Sequence, residues 1–245
     1  MTTLTDANLE ALLAVQALDT DLDRCRVRLA SLPERGELAA IDLQLAALEQ
    51  SRSAAAAERD AVADRQASFE HNLATVESRA AEIKKRLYGG TVSATRELQA
   101  MAAEVDSLTA RASELESRAL EAMDEREPLD ARVDKIDGEK SSLLAARAAV
   151  GERLAAREAE VAAETDTLST ARAQAATQVP EDLAVAYNRL RQRLGGVGVA
   201  RLVGSRCDGC HLSLAATEID QLRRQPPGTL TFCEQCGRIL VATHP

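Results

Sequence analysis

Four cysteines near the C-terminus fall in two pairs of identical spacing, Cys207-Asp208-Gly209-Cys210 and Cys233-Glu234-Gln235-Cys236, with 22 residues between them. Each pair offers two thiolates from one tight turn. Two such turns facing each other supply the tetrahedral S₄ shell that Zn²⁺ prefers. Gly209 and Gly237 permit a close backbone approach around the sulfurs. The expected ligands are Cys207, Cys210, Cys233 and Cys236, holding one zinc ion; iron or a redox pair are the alternatives. Four protein ligands leave no open coordination position, so the metal is expected to be structural.

Two other chemistries compete for the same residues. Cys207 to His211 spells C-x-x-C-H, the c-type haem attachment pattern. A second C-x-x-C and the lack of an axial partner argue against it. A thioredoxin-like site needs one C-x-x-C opening a helix in a βαβ unit, whereas both pairs here sit at strand-like turns. His211 is then a structural or surface neighbour of the metal, and His244 is the penultimate residue.

The rest of the chain must position this centre, and its composition restricts how. Among 245 residues there are two Phe, two Tyr and no Trp, although apolar types make up 45%. Compact cores draw much of their buried area from aromatics, so Ala, Leu and Val here point to long helices and coiled coil. The net charge is −9. From Pro180 onward eight arginines face six carboxylates, for +2, while the remainder carries 22 basic and 33 acidic residues, for −11. No run approaches the ~18 apolar residues needed to span a membrane. The start, Met1-Thr2-Thr3-Leu4-Thr5-Asp6, has no charged segment leading into an apolar one, so no signal peptide is expected and the cytoplasm is the expected compartment.

Apolar residues recur at alternating steps of four and three through Ala11, Val15, Leu18, Leu22, Cys25, Leu29 and Leu32, a heptad seam. It breaks at Pro33 and Gly36, then resumes from Leu38 through Ile41, Leu45 and Leu48 to Ile83 and Leu87. Leu87-Tyr88-Gly89-Gly90 ends the run, and Ser93 is the expected N-cap of the next helix. From Leu98 a second seam steps through Met101, Val105, Leu108 and onward to Ala175 without a phase change. Arg126, Lys140, Arg147, Arg157 and Glu164 interrupt it, weakening the core while fixing register; Pro128 is expected to bend the helix. Roughly 83 residues precede the Gly-Gly turn and roughly 84 follow it, so each arm is about 125 Å long. Equal arms joined by a short turn pair antiparallel. Cys25 falls on the seam as a small apolar residue, and His71 reads as solvated.

The expected fold is therefore mainly α: a long antiparallel two-helix coiled-coil hairpin over 1–179, with its tip at 88–93, followed by a small C-terminal zinc ribbon over 180–245. In the ribbon, Asp182 to Leu194 reads as a short basic amphipathic helix. Val197 to Val203, Thr229 to Phe232 and Ile239 to Ala242 read as strands.

The stretches Leu87-Tyr88-Gly89-Gly90-Thr91-Val92, Arg96-Glu97-Leu98, and Cys233-Glu234-Gln235-Cys236-Gly237-Arg238-Ile239-Leu240 resemble the bacterial C4-type zinc-ribbon family with an N-terminal coiled-coil hairpin. Leu12-Leu13-Ala14-Val15-Gln16-Ala17-Leu18-Asp19 is similar to that family's opening helix. Relatives include flagellar-expression regulators, proposed to contact an alternative sigma factor and messenger RNA, and chlamydial proteins associated with type III secretion. The resemblance implies the zinc-ligand role for the same four cysteines. The sequence departs from the family at Ala94-Thr95, where Asn-Pro is expected, and at Val241, where Tyr is expected.

These readings favour a non-enzymatic adaptor or scaffold. Unknown protein partners would dock at the ribbon and at the tip residues Tyr88, Gly89 and Gly90. No nucleophile–base pair, phosphate loop or small-molecule site stands out. The alternative is RNA or DNA binding through Arg189, Arg191, Arg193, Arg201, Arg206, Arg223, Arg224 and Arg238. Against it, four thiolates on one Zn²⁺ bring the head close to neutrality.

Overall fold

The structure is a computed structural model that describes residues 4–90, 92–226 and 229–242, without the side chain of Arg223. Thr91 and His244 lie outside the described residues. Three helices make up most of the chain: α1 (Asp6–Ala30), α2 (Pro33–Tyr88) and α3 (Thr95–Ala176). The smaller elements follow as α4 (Glu181–Arg193), β1 (Val199–Val203), β2 (Arg206–Cys207), α5 (Ala216–Arg223) and β3 (Ile239–Ala242). None of the helices is long and apolar enough to cross a membrane.

The chain divides into two compact units, one of residues 37–150 and one of residues 1–36 with 151–245. In the first, α2 and α3 pair antiparallel along the expected seam. Ala55 is wholly buried against Val133 and Ile136, and nearer the turn Ile83 packs on Met101 and Val105. Ion pairs track the register. Asp42 meets Arg147 at 2.6 Å; seven residues further along α2, Glu49 meets Lys140, seven residues back along α3. Arg52 then grips Asp137 with two bonds, of 2.6 and 3.1 Å. Arg126 donates to Gln66 at 3.1 Å.

Several local expectations need correction. The first seam is interrupted only at Ser31-Leu32, because Pro33 opens α2, where its missing N–H costs nothing; Gly36 is helical. Ala94, not Ser93, caps α3, its carbonyl accepting from the Glu97 and Leu98 amides at 3.0 and 3.1 Å. Leu29 is 38% exposed, although Val15, Leu22 and Cys25 of the same seam are buried. Arg147, Arg157 and Glu164 leave the seam for its edge, where they pair with Asp42, Glu160 and Arg28. Thr229 to Phe232 forms no strand; Phe232 makes a single bridge to Ile239.

The second unit joins α1, the end of α3 and all the C-terminal elements. Leu9, Leu12 and Val15 of α1 share one core with Leu183, Tyr187 and Leu190 of α4 and with Val199, Ile239 and Val241. Two polar residues of α1 are buried with them, Gln16 and Asp19. The Gln16 amide accepts from Gly198 N–H at 2.7 Å and donates to the Gly196 carbonyl at 3.0 Å, so it satisfies backbone just before β1. Asp19 accepts from Tyr187 Oη at 2.8 Å and from Arg172 Nε at 3.2 Å, joining α1 to α4 and α3. The buried Tyr187 hydroxyl is raised far above the usual tyrosine range by desolvation and then by that bond. At the N-terminus, Thr5 and Asn8 form a reciprocal cap, and Asn8 also donates to the Gln178 carbonyl at 2.8 Å.

Ala55 is wholly buried between the arms, against Val133 and Ile136. Ala55→Leu is expected to destabilise the hairpin by about 1–3 kcal/mol through overpacking. Ala57→Leu, at an exposed position, is expected to stay within about 0.5 kcal/mol. Denaturant midpoints of the two variants check the difference.

Candidate metal centre

The ribbon is a three-stranded sheet in the order β2-β1-β3. β1 and β2 are antiparallel neighbours, Leu202 opposite Cys207, so the first thiol pair begins on the sheet. β1 and β3 run parallel, Val199 beside Ile239, which brings the second pair alongside.

The two thiol turns have the same backbone design. In the first, His211 N–H donates to the Cys207 carbonyl at 2.8 Å, and Cys207 N–H to the Leu212 carbonyl at 3.1 Å. In the second, Gly237 N–H donates to the Cys233 carbonyl at 2.7 Å, and Cys233 N–H to the Arg238 carbonyl at 2.9 Å. The residue after each pair is left-handed, with φ of 60° at His211 and 70° at Gly237. Glycine adopts that conformation freely, whereas an exposed histidine holds it at some cost. Gly209 has a different reason to lack a side chain. A Cβ there would lie 2.7 Å from Arg238 Cδ and 2.8 Å from Ala200 Cβ.

The four Sγ atoms lie within 4.8 Å of one another, with Cys210 and Cys233 3.9 Å apart. A zinc–thiolate tetrahedron with bonds of ~2.3 Å has edges of about 3.8 Å, so the cluster fits one zinc ion. Cys207 and Cys233 are buried, while Cys210 and Cys236 are half-buried. Burial pushes the Cys207 thiol up, and the Cys233 thiol up to about 12. Cys236 goes the other way, to about 7. Burial opposes its ionisation, but the backbone N–H and guanidinium of Arg238, with the neighbouring thiols Cys233 and Cys210, outweigh it.

Residues 15–195 match the CT398-like coiled-coil hairpin domain, and residues 206–240 match the C4-type zinc ribbon domain. The chain belongs to the CT398-like hairpin family. An uncharacterized protein of Mycobacterium tuberculosis is 27% identical over 235 residues, covering 96% of this chain and 95% of its own. A solved structure from Mycobacterium smegmatis superposes with a TM-score of 0.85 at 21% identity, over 99% of this chain and 100% of that one. CT398 from Chlamydia trachomatis superposes at 0.64, also with 21% identity, over 96% and 98%. The family's zinc ribbon and the clustered thiols together identify one structural zinc as the resident metal.

The eight head arginines occupy different environments. Arg191 pairs with Asp23 and reaches the Asp19 carbonyl at 3.3 Å. Arg201 holds Glu10 with bonds of 2.9 and 2.6 Å. Arg238 donates to the carbonyls of Val197 at 2.9 Å and Leu194 at 3.2 Å. Arg189, Arg193, Arg206 and Arg224 are exposed and form no ion pair among the described residues. The Arg223 side chain lies outside the described residues. At the tip, Tyr88 is 83% exposed. Gly90 takes φ of 69°, and a Cβ on Gly89 would stand 2.7 Å from the Lys85 carbonyl oxygen. Gln16 and Asp19 went unnoticed in the sequence as ribbon-docking residues. Their sequence signals are polarity beside a seam position and a place in the stretch that resembles the family's opening helix.

Cys207 and Cys233 are wholly buried members of the ribbon core, packed with Ala200, Leu202 and Leu240. Structural zinc in small domains contributes about 10–16 kcal/mol of apparent binding free energy. Cys233→Ser, or zinc removal by a chelator, is expected to abolish amide-exchange protection in β1 and β3 while helical circular dichroism stays near wild type. Zinc binds thiolates, so the raised Cys207 and Cys233 thiols must each give up a proton on loading. Affinity therefore falls as pH falls, and faster below pH 7 as Cys236 also protonates. A drop of about 100-fold or more per pH unit is expected, read by competition with a chromophoric chelator at pH 6, 7 and 8.

Proposed function

We propose that the protein is a non-enzymatic zinc-binding adaptor that presents its ribbon and its hairpin tip to protein partners in the cytoplasm. The observation that carries this reading is the closed donor set: four thiolates fill the zinc shell and leave no position for a substrate. Among the described residues, these cysteines form the one such cluster of metal-ligating side chains. Four zinc-binding thiols also suit a reducing compartment.

The tip supports protein contact. Lys84, Lys85 and Arg86 in the last turns of α2 and Arg96 at the start of α3 are exposed and without ion pairs among the described residues. They flank Tyr88 in sequence, and its ring offers apolar area together with a hydroxyl, a combination favoured at interface anchors.

RNA or DNA binding is the second reading, and Arg189 and Arg193 favour it. They stand one turn apart on α4, exposed and without an ion pair among the described residues.

Two measurements separate these readings. A photo-crosslinking residue at Tyr88 is expected to capture a discrete protein in native cells, whereas one at the exposed His71 is not. Zinc-loaded protein titrated with RNA and DNA at low salt is expected to show no binding. Salt-sensitive binding that disappears in Arg189→Ala/Arg193→Ala would replace the adaptor reading with the nucleic-acid one.

A further inference from the structure

The Arg238 side chain touches three parts of the second unit at once. Its backbone closes the second thiol turn, the carbonyl accepting from Cys233 N–H at 2.9 Å. Its own N–H and its guanidinium both lie against the Cys236 sulfur. Its Cδ lies over Gly209 in the first thiol turn, in space that is open only because Gly209 has no side chain. Beyond that contact, Nε and Nη2 bracket the Val197 and Leu194 carbonyls, at 2.9 and 3.2 Å. Leu194 is the C-cap of α4, so one of these bonds satisfies a carbonyl the helix leaves without a partner.

Helix α4 is also fixed to α1. Tyr187 Oη donates to Asp19 at 2.8 Å, and Arg191 pairs with Asp23. A side chain that contacts both thiol turns and also caps α4 therefore links the metal centre to the helices that seat the ribbon.

We infer that Arg238 is a positioning residue that couples zinc loading to the seating of the ribbon on α4 and α1. Two physical effects support it. Four thiolates on one Zn²⁺ leave a net charge of −2, and a half-buried guanidinium beside Cys236 offsets part of it. Closing both thiol turns around the metal also fixes the floor on which the Arg238 side chain rests. Its two carbonyl bonds are then formed without further loss of side-chain freedom. Without metal the floor opens, and the end of α4 loses its cap. The inference does not depend on whether partners are proteins or nucleic acids.

The test uses the full zinc-loaded chain with two variants and two readouts: zinc affinity by chelator competition, and amide exchange over 191–198. Arg238→Gln removes the charge and the double bracket. It is expected to weaken zinc binding by about 10–100-fold, the usual cost of losing a group that supports metal ligands, and to speed exchange over 191–198 in the loaded protein. Arg238→Lys keeps a cation near Cys236 but cannot bracket two carbonyls. It is expected to lose protection over 191–198 and, because coupling is reciprocal, to weaken zinc binding too, though by less than Arg238→Gln. Wild-type protection in Arg238→Lys, or wild-type zinc affinity in Arg238→Gln, would overturn the inference. Weakened zinc with unchanged protection in Arg238→Gln would reduce Arg238 to charge compensation and overturn the coupling.

Discussion

Two short turns separated by 22 residues must bring four sulfurs together within 4.8 Å, and the ribbon depends on that closure. The sheet that carries the turns has only three strands, one of them two residues long. Its core is small, and two of its wholly buried members are the ligands Cys207 and Cys233. Few apolar contacts hold such a fold, so a metal cross-link between distant turns contributes a large share of its stability. The same closure aligns β3 parallel to β1. A parallel pair needs a long connection and gains little from local contacts, so a long-range clamp matters most there.

The ribbon is joined to the hairpin base by a mixed interface. Apolar residues of α1 and α4 bury the sheet's inner side, and the polar contacts set the alignment. Gln16 satisfies two backbone groups before β1, and Asp19 collects Tyr187 and Arg172. An apolar interface alone tolerates sliding by a turn. A buried carboxylate with fixed partners does not, because any shift strands charges away from water. The ribbon end of the chain is therefore organised by hydrogen bonds as much as by burial, whereas the hairpin over 37–150 relies on repeating small apolar contacts and ion pairs at the edge.

How much of this the sequence reveals depends on the range of each interaction. The α2 and α3 seams could be read residue by residue, because heptad spacing is local and each seam residue meets another of its kind. The metal ligands were legible for the same reason: each C-x-x-C is a complete turn. The second face of α1 was not legible. Gln16 and Asp19 look like solvent-facing residues, and their partners Gly198 and Tyr187 lie more than 160 residues away. Helix α5 escaped notice because, among its described side chains, only Ile219 and Leu222 are buried. The arginines show the limit of composition. Eight were counted as one basic surface, yet Arg191, Arg201 and Arg238 are used inside the fold.

That redistribution bears on the surface offered to partners. Arg191 and Arg201 are offset by Asp23 and Glu10 and add little field at the ribbon surface, while Arg238 keeps its charge on two neutral carbonyls. Four thiolates around one Zn²⁺ contribute a further −2 beside them. Among the described residues the head cations without an ion pair are Arg189, Arg193, Arg206 and Arg224, and near the tip Lys84, Lys85, Arg86 and Arg96 flank Tyr88 in sequence. Nucleic-acid affinity grows with the number of phosphates neutralised at once, and four head arginines engage few of them. A protein interface needs less: an exposed aromatic anchor with a few charges at its rim that choose the partner and orient it. The tip has that composition, and its Gly89-Gly90 turn holds Tyr88 out in solvent at the end of α2.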